Sequence, residues 1–83
     1  MNVEEIKKEI EKGIRAGLKT LLDIALTQGR TRQDVEDGLP QIKQGILIHP
    51  DMAGLFDQAN MNTDDAINMI NYVVDKAMHD YFK

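Results

Sequence analysis

A chain of 83 residues suffices for one small domain with a thin core, so we expect a single domain over residues 1–83. Its net charge of −4 is opposite in sign to that of most DNA-binding domains. The chain has no cysteine, which excludes disulfides and thiolate metal sites and favours a cytoplasmic location. No apolar run approaches the roughly 20 residues of a membrane span, and the N-terminus lacks the apolar region of a signal peptide. We therefore expect no contact with a membrane.

The first predicted helix extends from about Val3 to Gln28. Its apolar residues recur at the three-and-four spacing of one helical face. They are Val3, Ile6, Ile10, Ile14, Leu18, Leu21, Leu22, Ala25 and Leu26. Gly29 is a natural C-terminal stop, because glycine accepts the left-handed conformation.

The segment "GIRAG" places Gly13 and Gly17 on or beside this face, four residues apart. Each glycine costs a helix up to about 1 kcal/mol relative to alanine. We expect a close crossing of two helices here, because small residues let two backbones approach. The alternative is a groove for a partner or a ligand.

The second helical region begins at Thr31, which can cap the helix by accepting from the amide of Asp34. The segment "DGLP" is expected to end or kink it, with Gly38 as a left-handed cap and Pro40 as a break. The helical spacing of Val35, Leu39, Ile42 and Ile46 nevertheless continues across the proline. We predict two helical pieces, or one kinked helix, that share one buried face over residues 31–47.

A short third helix is expected over about residues 50–59, because Pro50 and Asp51 suit its first turn. The last helix begins at Asn62 or Thr63 and extends towards the C-terminus. Its core stripe consists of Ala66, Ile67, Ile70, Val73, Val74, Ala77, Met78 and Tyr81. The predicted fold is an all-α bundle of four to five helices, with long N- and C-terminal helices and short middle helices.

Residues from Leu21 to Pro40 resemble the helix-turn-helix family of DNA-binding proteins. The turn contains the string "GRTRQDV", in which Gly29 lies at the turn, Thr31 at the cap and Val35 at the inward anchor. The resemblance implies that Arg32, Gln33 and Glu36 face bases in the major groove. Gln28, Arg30 and Gly38 depart from the family pattern, which has buried aliphatic residues or an anchor near these positions. Asp34, Glu36 and Asp37 also oppose a phosphate backbone, so the segment is interpreted as a structural corner.

A basic stripe forms a second candidate site on the outer face of the first helix. Lys8, Lys12, Arg15 and Lys19 are spaced four, three and four residues apart and share one side of the helix. Arg30 and Arg32 follow just beyond its end. These six residues are the predicted anion-binding set, and the alternative is a solvated face that Glu4, Glu9 and Glu11 partly neutralise.

Catalysis and metal binding have little support in the sequence. The chain has neither serine nor cysteine, and His49 and His79 have no second histidine at helical metal spacing. "GIRAG" lacks the lysine and the preceding strand of a phosphate-binding loop. We therefore expect no enzymatic activity, no cofactor and no metal.

The predicted function is that of an adaptor, regulator or inhibitor that binds a protein partner and self-associates as a homodimer. Its predicted partner-binding residues are Met69, Tyr72, Val73, Phe82, Gly13 and Gly17. Methionine and tyrosine suit such surfaces, because one adapts its shape and the other offers a large area with a polar tip. Residues 1–32 carry a net charge of +2 and residues 33–83 one of −6, so the acidic part would steer the protein to a basic partner surface. The alternatives are a dimeric helix-turn-helix regulator of DNA and a binder of a small anion, such as a nucleotide, at a subunit interface.

Overall fold

The structure is a computed structural model, and it describes residues 2–83 as four helices joined by short turns. The helices are α1 (Val3–Thr27), α2 (Arg32–Ile48), α3 (Pro50–Gln58) and α4 (Thr63–Tyr81). The all-α prediction is confirmed. None of the helices in this part of the chain combines the length and the hydropathy needed to cross a bilayer.

The core lies where α1 packs against α4 and α3, and α2 adds a second contact surface for α4. Ile10, Leu22, Ile70, Val73 and Val74 are its largest fully buried side chains. They recur at three-and-four spacing on α1 and α4, so each helix turns one continuous face inward. α4 contacts both α1 and α2, whereas α1 and α2 meet only sparsely.

The turn between α1 and α2 has the two caps that the sequence predicts. Gly29 has a φ of 84°, and the amide of Arg30 donates to the carbonyl of Ala25 at 3.0 Å. The Thr31 hydroxyl accepts from the amide of Asp34 at 3.1 Å, while the Asp34 carboxylate accepts from the amide of Thr31 at 2.9 Å. This reciprocal capping box fixes the start of α2.

The prediction of a left-handed break at Gly38 is wrong. α2 continues through Gly38 and Pro40 as one helix of 17 residues, so it is longer than the short middle helix expected. Pro40 is exposed and removes one main-chain donor from the helix. Buried Val35 and half-buried Leu39 and Ile42 pack on the core on both sides of the proline, and this packing holds the helix together.

The remaining helix starts are also capped by side chains. His49 is the N-cap of α3, since its Nδ1 accepts from the amide of Asp51 at 3.2 Å. Asn62 caps α4 in a second capping box, with Asp65, which settles the choice between Asn62 and Thr63.

Near the end of α4, Tyr81 Oη donates to Asp23 Oδ1 on α1, and this hydrogen bond raises the pKa of Tyr81.

The capping box of α2 makes the stability of the fold dependent on pH. Hydrogen bonds from the amide and the side chain of Thr31 hold the pKa of Asp34 below its ordinary value. A carboxylate with a lowered pKa stabilises the folded state above its ordinary pKa of about 3.9, and this contribution is lost as the pH falls through the lower, folded value. The free energy of unfolding of Asp34→Asn should therefore lie below that of the wild type at pH 7 and approach it in acid. Urea unfolding between pH 7 and pH 2 measures this difference, and a constant difference would contradict it.

Candidate protein interface

α1 and α2 leave an open groove between them. Two cavities, of about 530 and 410 Å³, share Leu21 and Ile42 and together form one continuous depression. We call it the α1–α2 groove. The α1 side contributes Gly13, Gly17, Leu21 and Ile24, followed by Gln28 just beyond the helix. The α2 side contributes Gly38, Ile42, Gly45 and Ile46. Asp51 and Met52 lie at one end, and Arg30 and Asp34 lie at the other.

Glycines form the floor of this groove. A methyl group built on Gly13, Gly17 or Gly45 would meet no neighbouring side chain or element of residues 2–83 within 4 Å. The expectation that Gly13 and Gly17 mark a close helix crossing is therefore wrong for the contacts within this chain. The reason is that α1 turns its aliphatic face to α4 and α3 and leaves the adjacent glycine face open. Gly13 and Gly17 instead line an open depression, and a partner or ligand for it stays a prediction.

Large apolar side chains stand beside the glycines. Leu21 is 41% exposed and Ile24 is 54% exposed, although each lies within one or two turns of Gly17 on the same side of α1. Ile42 and Ile46 are half-buried on the opposite wall. The groove thus combines glycines, which have no side chain, with projecting aliphatic side chains, as helix-packing surfaces do.

The two ends of the groove differ in charge. Asp51 lines the end near Gly13, and Glu9 lies one helical turn before Gly13. Arg30 lines the other end. Asp34 lines the same end, and the charge of Arg30 contributes to its lowered pKa, so the two opposite charges offset each other there.

The predicted anchors of the last helix do not come together. Val73 is 1% exposed, so it lies in the core and is not available to a partner. Tyr72 is 61% exposed on the outer side of α4, where Lys76 Nζ lies 5.7 Å from its ring centroid. Met69 is half-buried against the core, and Phe82 lies beside Arg32, whose guanidinium carbon is 5.2 Å from the ring centroid. α4 packs against both α1 and α2, and these two contacts cover most of its wide apolar band but leave Ile67 and Tyr72 exposed.

The predicted anion-binding residues do not form one surface either. Arg15 forms ion pairs with Glu11 at 3.4 Å and with Asp80 at 3.5 Å. Lys8, Lys12 and Lys19 take part in none of the ion pairs that residues 2–83 form, and helical geometry places them on the other side of α1 from Gly17. Arg30 lines the groove, whereas Arg32 lies over Phe82 and does not line it.

The side chains at the start of α2 are engaged with neighbouring acids. Arg32 Nε donates to Glu36 Oε1 at 2.9 Å, and Gln33 Nε2 donates to Asp37 Oδ1 at 2.8 Å. These are the donors that base recognition by this helix would require. The capping box and Gly29 account for the turn without any ligand, so the geometry favours a structural corner.

Across residues 2–83, no group of three or more histidines, aspartates and glutamates is placed to hold a metal ion. The core of the same residues contains no buried polar or charged side chain. The interior therefore offers no group for acid–base chemistry, and the features that could bind a partner lie on the surface.

In comparisons with known proteins, the chain matches no family model, and no curated protein or solved structure is significantly similar to it.

The open floor of the groove predicts how its glycines respond to substitution. Gly17→Ala should raise the free energy of unfolding of the isolated chain by about 0.5–1 kcal/mol, because alanine favours the helix and its methyl group meets no neighbour. Gly29→Ala should lower it by roughly 1 kcal/mol, because Gly29 has a positive φ. Urea unfolding at low protein concentration separates the two effects. A loss of stability in Gly17→Ala comparable to that in Gly29→Ala would show that the groove is closed.

Proposed function

We propose that this protein is a non-enzymatic binding module that acts through protein–protein contact, with the α1–α2 groove as its docking surface. The observation that carries the proposal is the exposure of Leu21 and Ile24 beside a floor of glycines. Exposed aliphatic side chains that border a depression are typical of surfaces that a partner covers. The proposed occupant is an amphipathic helix, because such a helix places its apolar face into a hydrophobic groove.

The dimensions of the groove suit this occupant. The α1 wall from Gly13 to Gln28 is about 22 Å long at 1.5 Å per residue, which accommodates about four turns of a second helix. Glycines on both walls would let the backbone of that helix approach closely. Apolar residues at the spacing of one helical face would fill the positions beside Leu21 and Ile42.

The charge distribution supports the choice of partner. Residues 33–83 carry a net charge of −6, and acids such as Asp57 and Asp64 are exposed. An acidic surface of this kind steers association towards a basic protein surface and away from nucleic acid. In this proposal the protein is a cytoplasmic adaptor, regulator or inhibitor, consistent with its lack of cysteine.

Site-specific photo-crosslinking in the native host tests the docking surface. A photoreactive phenylalanine analogue in place of Ile24 should form protein adducts that survive nuclease treatment. The same analogue in place of Lys12, on the other side of α1, is the matched control and should form several-fold fewer. Gly17→Leu, which fills the floor of the groove, should suppress the adducts at Ile24 while the circular dichroism spectrum stays helical. Equal yields at the two positions, or adducts that nuclease removes, would contradict the proposal.

A further inference from the structure

We propose that the helix that occupies the α1–α2 groove is α1 of a second copy, so that the protein is an antiparallel homodimer. The two α1 helices would cross about a two-fold axis at the level of residue 19. This inference rests on the proposed function, because it names the partner of the same groove. The basic surface that the acidic residues 33–83 meet is then residues 1–32 of the second copy, which carry a net charge of +2. It is supported by the pattern of side-chain size along α1, by the charges at the ends of the groove and by the area available.

The face of α1 that lines the groove is complementary to itself in the antiparallel direction. Relative to residue 19, Gly17 lies two residues before and Leu21 two residues after. Gly13 lies six residues before and Ile24 five residues after. An antiparallel crossing therefore places Leu21 of each copy over Gly17 of the other, and Ile24 over Gly13. Each projecting aliphatic side chain meets a glycine floor that has no neighbour within its own chain.

The charges favour the same direction. An antiparallel crossing brings the acidic end of one groove, with Glu9 and Asp51, to the end of the other groove that carries Arg30 together with Asp34 and is the less negative of the two. Two-fold symmetry repeats this contact, because an isologous interface contains every pair twice. A parallel crossing would instead place Arg30 against Arg30, and glycine against glycine. Both the size pattern and the charge pattern therefore favour the antiparallel crossing over the parallel one.

The available area lies at the lower limit for a stable dimer. The face from Glu9 to Arg30 is about 30 Å long at 1.5 Å per residue, and the molecule is 20 Å wide. A contact over the whole of two such faces buries at most roughly 1,200 Å² in total, which is the lower limit of a standard-size interface. A second copy thus covers Leu21, Ile24 and the half-buried residues of the α2 wall without any additional protein.

Charge exchange across the interface tests this arrangement. Glu9→Lys and Arg30→Glu should each weaken the dimer by about tenfold or more in sedimentation equilibrium, since each change replaces two attractive contacts by repulsive ones. The double variant Glu9→Lys/Arg30→Glu should recover most of the lost affinity. Asp57→Lys and Lys12→Glu make the same changes in charge away from the groove and should leave the dissociation constant within about twofold. Circular dichroism of each variant shows that it is folded.

Crosslinking defines the register independently. The photoreactive analogue at position 24 of the purified protein should form adducts with the segment around Gly13 of a second copy, as mapped by peptide mass spectrometry. Gly17→Ala should weaken the dimer while it stabilises the separated chains, whereas Gly54→Ala in α3 is a matched helical glycine outside the groove and should leave dimerisation unchanged.

A wild-type protein that sediments as a monomer at millimolar concentration would overturn the inference, as would single charge reversals without effect or a double variant without recovery. If the chain is a monomer and position 24 crosslinks in the host to a different protein, the proposed function remains and the homodimer is rejected. If position 24 forms no adduct with any protein, both proposals fail.

Discussion

The packing of α1 on α4 is the contact on which the other features of the molecule depend. Ile10 and Leu22 on α1 and Val73 and Val74 on α4 are fully buried and form the centre of the core. A helix of 25 residues that turns one face to α4 and α3 leaves the remaining faces to solvent. On one of these faces are the exposed lysines, and on another are Gly13 and Gly17 beside Leu21 and Ile24. Because α2 packs mainly on α4 and not on α1, the glycine face stays uncovered and becomes one wall of the groove.

The core is apolar throughout, and the main-chain amides at the helix N-termini find their hydrogen-bond partners outside it. Each of the four helices begins with a side-chain cap, which Asn2, Thr31, His49 and Asn62 supply. These caps satisfy main-chain amides at exposed positions, so none of the described polar side chains is needed in the interior. The polar and charged side chains of residues 2–83 therefore lie on the surfaces between and outside the helices.

The sequence predicts the helix boundaries well where they depend on local chemistry. Gly29, Thr31 and Pro50 act through the conformation and hydrogen bonds of a few adjacent residues, and the structure has them where the local rules place them. Pro40 illustrates the opposite case, since the local preference for a break is overcome by core packing on both sides of it.

The surroundings of α4 are not predictable from the sequence, because the width of an apolar band does not reveal how many helices pack against it. Val73 and Tyr72 belong to the same apolar band and are adjacent in sequence, yet Val73 is buried and Tyr72 is exposed. The glycines were ambiguous, because a small residue suits a contact within the chain and a contact with another chain equally well.

The open floor of the groove has a consequence for how the sequence can change over generations. At Gly13, Gly17 and Gly45, a substitution that adds a methyl group favours the helix and meets no obstacle within the chain. Each of the three glycines therefore leaves the separate chain about 0.5–1 kcal/mol less stable than alanine would. The simplest substitutions at these positions would both stabilise the separate chain and remove the groove.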